Sequence, residues 1–128
     1  MAFSKHTGAK PGDSEPVLQF RLRVLHQGEI ALGPGKVELL TAIRTQGSIS
    51  KGAKSLGMSY MRAWTLVKVM NRAFREPLVV VERGGIKGGT ARLTPLGDRV
   101  LEIYTGLIEQ SRLASEPGWR ELRELLKK

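Results

Sequence analysis

Residues 47–75 read GSISKGAKSLGMSYMRAWTLVKVMNRAFR, and this stretch decides the fold. Ser48 is a typical N-cap for a short helix that ends at Gly57, where a left-handed residue is wanted. Ser59 is a second N-cap, which predicts a longer helix reaching about Phe74. Two helices separated by so tight a turn predict a helix-turn-helix.

The longer of these two helices has distinct apolar and polar faces. On a wheel of about 100° per residue, one face gathers the apolar side chains and is expected to face the core. These core residues are Ala63, Leu66, Val67, Met70 and Phe74. Met61, Thr65, Lys68 and Arg72 then point away from the core, with Arg62 and Val69 beside them. Trp64 lies to the other side, where packing against the domain and contact with a ligand are both open.

The flanking sequence completes an α+β pattern, that of a winged helix-turn-helix. Apolar and polar residues alternate from Leu18 to Val24, which predicts a half-buried strand, and Gly28 marks a turn into a second short strand. A first helix is expected over residues 36–45. Downstream, residues 78–93 read as strand, glycine-rich basic loop and strand, which predicts a β-hairpin wing.

The loop at residues 84–89, GGIKGG, matches neither of the common phosphate-cradling patterns, GxxxxGK[ST] and GxGxxG. Its glycines would let the backbone approach a sugar–phosphate chain closely, so we favour a wing tip over a plain hairpin turn. The wing residues assigned to contact with nucleic acid are Arg83, Lys87, Gly88, Gly89, Thr90 and Arg92.

A long helix is expected over residues 95–116, because Thr94 and Pro95 are typical of an N-cap and a first helical position. Its apolar residues form two stripes, of which one can cover the core while the second is available to a partner. We therefore expect a homodimer; deeper burial, or cover from the residues after Pro117-Gly118, is the alternative. The residues assigned to the dimer interface are Leu96, Val100, Ile103, Tyr104, Leu107 and Ile108.

The expected organisation has four parts. Residues 1–15 are polar and without periodicity, which predicts a flexible N-terminal segment. Residues 16–94 form the winged helix-turn-helix domain, and residues 95–116 the dimerisation helix. We expect Pro117-Gly118 to interrupt that helix and residues 117–128 to form a short amphipathic tail.

Positive charge is concentrated on the helix-turn-helix. The chain has 21 Lys and Arg against 12 Asp and Glu, a net charge of +9. Six basic and no acidic residues lie in 48–75, whereas 95–116 has two basic and four acidic ones. A run of charge is most often a solvated helix face, but such a face normally mixes signs. The location of the excess favours nucleic acid as the partner.

Several classes of protein are disfavoured by what the sequence lacks. It has no cysteine, which excludes disulfides, thiolate metal sites and Cys nucleophiles. We find no apolar run near 18 residues and no signal-peptide core, so we expect a cytoplasmic protein with no membrane partner. His6 and His26 have no carboxylate cluster or metal-ligand spacing around them. We therefore expect no enzyme, no catalytic residue, no metal and no cofactor.

Two further sets of residues are assigned to DNA binding. A helix fits the major groove, where Arg or Lys can bind guanine and Thr or Met can meet a thymine methyl. The recognition-helix set is Ser59, Tyr60, Met61, Arg62, Thr65, Lys68 and Arg72, the first two near phosphates. The set on the preceding helix is Ser48, Ser50, Lys51 and Lys54.

Several motifs recur together in one known family. They are SISKGAK at 48–54, SYMRAW at 59–64, MN at 70–71, VER at 81–83, GIKGG at 85–89 and LTPLG at 93–97. With these motifs, residues 18–110 resemble the N-terminal DNA-binding domain of the molybdate-responsive ModE regulators. The resemblance implies a dimeric winged helix-turn-helix that binds an operator through residues 59–72 and 84–90. It places molybdate in further oxyanion-binding domains, so no residue here is assigned to that anion.

The expected function is sequence-specific binding of double-stranded DNA by a homodimer that regulates transcription from an inverted-repeat operator. Control of molybdenum-related genes follows only from the resemblance, and a separate effector or sensor protein is a further candidate partner. Two alternatives stay open: a winged-helix protein-interaction or assembly module using Trp119 and the spare apolar stripe, and a non-specific architectural DNA-binding protein. RNA is disfavoured because seven aromatic residues supply no stacking platform.

Overall fold

The structure, a computed structural model, describes residues 15–83 and 89–128. Its elements are β1 (Val24–His26), β2 (Glu29–Leu32), α1 (Pro34–Gln46), α2 (Ile49–Ser55), α3 (Tyr60–Ala73), β3 (Val79–Glu82), β4 (Thr90–Leu93) and α4 (Pro95–Glu124). Over the described residues, β1 pairs with β2 and β3 pairs with β4, each pair antiparallel. This is the α+β winged helix-turn-helix expected from the sequence, with a long C-terminal helix.

The caps of α2 and α3 are those that the sequence predicts. The Ser48 hydroxyl accepts a hydrogen bond from the Lys51 amide at 3.0 Å, and Ser59 accepts one from Arg62 at 3.1 Å. Gly57 has φ +67°, the left-handed conformation that the turn between the helices requires. The α2–turn–α3 unit is therefore fixed by local sequence.

A single hydrophobic cluster joins α1, α2 and α3 to the wing and to the first half of α4. The inward faces of α2 and α3 contribute, together with Val79 of β3 and with Ala91 and Leu93 of β4. Its fully buried large side chains are Leu39, Leu40, Ile43, Met70, Leu78, Val37, Val67 and Val79. Since every one is apolar, burial of apolar surface is the main force that orients α3.

The wing is fastened to α3 by the side-chain amide of one residue, Asn71. Oδ1 of Asn71 accepts hydrogen bonds from the backbone amides of Leu78 at 2.8 Å and Val79 at 3.1 Å. Its Nδ2 donates to the Val79 carbonyl at 3.0 Å. Because Asn71 is in the last turn of α3 and Val79 begins β3, this contact sets the position of the wing relative to the helix.

The start of α4 packs unusually close to the wing. The Thr94 hydroxyl accepts from the Gly97 amide at 3.0 Å and donates to the Pro77 carbonyl at 2.8 Å. A Cβ at Gly97 would lie 2.3 Å from the carbonyl oxygen of Leu78, so only glycine allows this approach. The N-cap predicted at Thr94 is therefore confirmed.

The N-terminal strand differs from its prediction. The alternating pattern predicts a strand over residues 18–24, but residues 15–23 are in no strand and β1 begins at Val24. An alternating segment becomes a strand only where it finds a pairing partner, and none lies beside it in the described chain. Leu22 instead packs against the core, and its carbonyl accepts a hydrogen bond from the Tyr104 hydroxyl at 2.8 Å.

The helix break predicted at Pro117-Gly118 is absent. Helix α4 runs without interruption to Glu124, with Pro117 inside it. Proline deprives the carbonyl of Leu113 of its helical donor, but both residues are exposed, so water can supply the missing bond. Helix α1 also begins earlier than expected, with Pro34 in its first turn.

Two predictions concern residues outside the described ranges. The flexible segment predicted over residues 1–15 lies outside them except for Glu15, and so does the wing tip at residues 84–88. The assignment of residues 16–94 to a DNA-binding domain and of residues 95–116 to dimerisation remains a prediction.

Candidate nucleic-acid interface

The outward face of α3 is exposed as the helical wheel predicts. Met61, Arg62, Thr65, Lys68 and Arg72 are all exposed, and Met61 is exposed to 72%. On the opposite side Ala63, Val67 and Met70 are fully buried, while Leu66 and Phe74 are half-buried. Helix α3 therefore presents three cations and no carboxylate of its own to solvent, on a rigid support.

The first two turns of α3 carry the two aromatic residues of the helix. Their rings contact each other edge to face, with 6.4 Å between the centroids of Tyr60 and Trp64. Trp64 is half-buried against the core, whereas Tyr60 is 48% exposed. Of the two positions left open by the sequence for Trp64, the structure shows packing against the domain.

Helix α2 adds exposed polar groups next to the same face. Ser50, Lys51 and Lys54 are exposed, and the half-buried Ser48 is engaged as the N-cap. Gly52 makes this placement close, because a Cβ there would lie 3.3 Å from the backbone nitrogen of Ile43 in α1. This close approach holds α2 and its cations against α1.

The described polar residues of the wing lie along β4 and at the end of the hairpin next to its connecting loop. Arg92 pairs across the sheet with Val80, and Thr90 with Glu82. Arg83, Gly89, Thr90 and Arg92 are exposed. Lys87 and Gly88, also assigned to the wing contact, lie outside the described residues.

One contact on this surface has no counterpart in the sequence analysis. Arg72, assigned to base recognition, forms a two-point ion pair with Glu29 at the start of β2. The pair holds the pKa of Glu29 below its usual value, chiefly through the hydrogen bond from Arg72. Lys36 lies nearby, and burial together with the charge of Arg62 lowers the pKa of its ammonium group. The sequence indicates only that the chain turns near Gly28. It does not show which side chain Glu29 contacts.

The six residues assigned to the dimer interface divide into two groups. Val100 and Tyr104 are buried in the core of this chain, Tyr104 to 2% exposure, so their assignment is corrected. Ile103 and Leu107 are exposed, to 47% and 43%, while Leu96 and Ile108 are half-buried at the edge of the core. The two apolar stripes predicted for α4 are parts of one wide apolar arc. One side of this arc is buried in the core, and its other side is exposed.

Other kinds of site find no support in the described part of the chain. Residues 15–83 and 89–128 hold no group of three or more His, Cys, Asp or Glu side chains placed to bind a metal ion. Within the same residues, no helix is long and apolar enough to cross a membrane.

The fold and this surface define the class of protein: a winged helix-turn-helix whose third helix, α3, presents a basic face to solvent. The homologues of this chain are ModE-type proteins. It is 42% identical over 86 residues to the molybdenum-pterin-binding protein MopB of Rhodobacter capsulatus, covering 67% of this chain and 32% of MopB. It is 42% identical over 77 residues to the molybdenum transport protein ModE of Azotobacter vinelandii, covering 60% and 28%. It is 40% identical over 78 residues to the DNA-binding transcriptional dual regulator ModE of Escherichia coli K12, covering 61% and 30%.

The chain spans about a third of the length of these curated relatives. No protein-family model matches it. The resemblance to ModE regulators drawn from the motifs is thus confirmed, over the share of each relative that the chain covers.

Proposed function

We propose that this protein is a sequence-specific, double-stranded DNA-binding transcription regulator and not an enzyme. The observation that carries the proposal is the outward face of α3, on which Arg62, Lys68 and Arg72 are exposed and no acidic residue of the helix intervenes. A helix of 14 residues is about 21 Å long and has the width that a major groove admits. A cytoplasmic location is part of the proposal, because the target is genomic DNA.

The residues of α3 divide by the chemistry that they offer. Arg62, Lys68 and Arg72 can donate to the O6 and N7 atoms of guanine. Thr65 and Met61 can contact a thymine methyl, although the Thr65 hydroxyl donates its proton to the Met61 carbonyl at 3.0 Å. We therefore expect the α3 side chains to select sequence.

Phosphate contacts would come from the surrounding elements. Exposed cations lie on the two elements that neighbour α3: Lys51 and Lys54 on α2, and Arg83 and Arg92 on the wing. Contacts of this kind fix the register of a protein on the duplex and make its affinity depend on salt. The Tyr60 hydroxyl at the start of α3 would join them.

The homodimer is supported by the apolar surface of α4. The buried residues of this helix end at Tyr104, and α4 continues for twenty more residues to Glu124, about 30 Å. Exposed leucines continue along this extension at Leu113 and Leu122. Ile103 and Leu107, one helical turn apart on α4, form an exposed apolar edge that a second copy of the chain can cover. A C2 dimer would set two α3 helices on an inverted repeat.

Molybdenum-related genes are the proposed targets, because relatives carry the names molybdenum transport protein and molybdenum-pterin-binding protein. An effector, whether a small molecule or a separate sensor chain, is left to experiment. Nothing in the described residues favours a particular effector site.

The test is recovery of bound fragments from a genomic library at about 150 mM salt, where non-specific affinity is weak. The proposal predicts enrichment of an inverted repeat by the wild-type protein and loss of that enrichment by Lys68→Ala. Arg120→Ala, which removes an exposed cation from the distant end of α4, is the matched control and should enrich the same sites. Binding without sequence enrichment, equally reduced by both variants, would instead indicate an architectural protein. Absence of DNA binding would favour the alternative function, a winged-helix protein-interaction module.

A further inference from the structure

The β1–β2 hairpin brings a carboxylate to the outward face of α3. The turn has φ of +51° at Gln27 and +79° at Gly28, as in the tight two-residue turns that suit β-hairpins. It reverses the chain so that His26 pairs with Glu29. From this position Glu29 reaches the side chain of Arg72, 43 residues further along the chain.

The pair with Glu29 occupies only one edge of the guanidinium. Nε of Arg72 donates to Oε1 at 3.4 Å and Nη2 donates to Oε2 at 2.5 Å. An arginine has five N–H donors in a rigid fork, and these two bonds use the Nε–Nη2 edge. The outer edge, formed by Nη1 and the second Nη2 proton, keeps the pair of parallel donors that matches O6 and N7 of guanine.

The stability of the fold does not account for this pair. The side chains of Arg72 and Glu29 are 59% and 44% exposed, and exposed ion pairs contribute little to folding. Arg72 and Lys36 both favour the ionised form of Glu29, so the carboxylate is charged at neutral pH. A fixed negative charge beside a surface that binds a polyanion weakens non-specific attraction, so its presence calls for a specific role.

We propose that Glu29 is a positioning residue for DNA recognition, which holds Arg72 so that its outer guanidinium edge meets one guanine in each half-site. This inference rests on the proposed function. Holding a long side chain in place before binding removes part of the entropy cost of ordering it at the interface.

The opposite role makes a different prediction. If Glu29 competed with DNA for Arg72, removing the carboxylate would release a cation and tighten binding to every sequence. Positioning instead predicts that the loss is confined to one base pair. The two roles are therefore separated by base preference and not by overall affinity.

The test uses the full chain and duplexes selected from a randomised library. One G·C pair is first identified as the position at which Arg72→Ala no longer prefers guanine. The wild type is then titrated with its selected duplex and with a duplex in which that G·C pair is replaced. We expect wild type to prefer the guanine by about 10- to 100-fold, Arg72→Ala to lose that preference, and Glu29→Gln to reduce it about tenfold. Preferences at the other positions should be unchanged.

Two controls separate positioning from charge and folding. Glu76→Gln removes an equal charge from an exposed residue near the same end of α3 and should keep the wild-type preference. Glu29→Ala should have no effect on that preference when Arg72 is already alanine, because the two residues act as a unit. Arg72→Lys keeps the charge without the fork, so it should weaken the preference while its salt dependence matches wild type.

The proposal is overturned if Glu29→Gln keeps the wild-type preference, or if it tightens binding to both duplexes by one factor. A wild-type protein that selects no sequence at all would refute the proposed function instead, and this is seen before any variant is made. Melting temperatures equal to that of Glu76→Gln confirm that a change in preference is not a loss of fold.

Discussion

Removal of the Asn71 amide is expected to detach the wing from α3. In Asn71→Ala, three hydrogen bonds to the backbone of Leu78 and Val79 are lost together. Both partner residues are buried, at 0% and 2% exposure, so the freed amides and carbonyl gain little water in exchange. At about 1 kcal/mol for each bond, and less where water enters the half-buried site, the loss is about 2–3 kcal/mol.

Urea unfolding at one fixed protein concentration measures this loss. With a slope of about 2 kcal/mol per molar urea, the midpoint should fall by about 1–1.5 M. The matched control, Gln110→Ala, removes an exposed amide from α4 and should change stability by less than about 0.5 kcal/mol. Asn71→Asp keeps an acceptor for the two amides but no donor for the Val79 carbonyl, so its loss should be intermediate. An Asn71→Ala midpoint equal to that of Gln110→Ala would refute the reasoning.

Other consequences of the structure can be checked with single variants. Gly97→Ala places a Cβ against the Leu78 carbonyl and should destabilise the fold by about 1–3 kcal/mol. Gly106→Ala has open space around it and should stabilise α4 by about 0.5–1 kcal/mol. The melting temperatures of the two variants should therefore shift in opposite directions. Ser59→Ala removes the α3 cap and should cost about 1 kcal/mol, measured by urea unfolding and contradicted by a wild-type midpoint. Carboxyl NMR titration should find the pKa of Glu29 below that of an ordinary glutamate, and returned towards it in Arg72→Ala. Because the pKa of Glu29 is lowered in the folded state, the small stabilisation from the ion pair is present above the pKa of the unfolded chain. It disappears as the pH falls through the folded-state pKa. A Glu29 pKa that is the same in Arg72→Ala as in the wild type would contradict the ion pair.

Local chemistry made much of the fold predictable. Caps at Ser48, Ser59 and Thr94 act within three residues of themselves, and the left-handed Gly57 is a property of one backbone position. The apolar and polar faces of α3 follow from helical periodicity alone. Such features need no knowledge of distant parts of the chain, so the sequence sufficed for them.

The errors lie where the outcome depends on a partner distant in sequence. Alternation from Leu18 to Val24 reports which side chains are apolar, but a strand also needs a neighbouring edge, and here Leu22 meets Tyr104 instead. The break expected at Pro117 assumes that a lost helical hydrogen bond ends the helix, which an exposed carbonyl hydrated by water does not require. Neither condition can be read from a local pattern.

The candidate interface was predictable in its charges but not in its internal contacts. Lys68 and Arg62 are exposed as expected because the helix alone determines their direction. The partners of Arg72 and Asn71 come from β2 and β3, which only tertiary packing brings to the end of α3. For the same reason Val100 and Tyr104 were assigned to a dimer although they fill the core.

The measurement that tests the central claim most directly is protection of guanine N7 atoms from methylation on a duplex selected by the wild-type protein. N7 lies in the major groove, where α3 is proposed to bind. We predict two protected clusters related by two-fold symmetry, about 10 base pairs apart or a multiple of it, both lost in Lys68→Ala and kept in Arg120→Ala. A protein that binds the duplex but leaves every N7 reactive, or protects the same guanines after Lys68→Ala, would contradict recognition through α3.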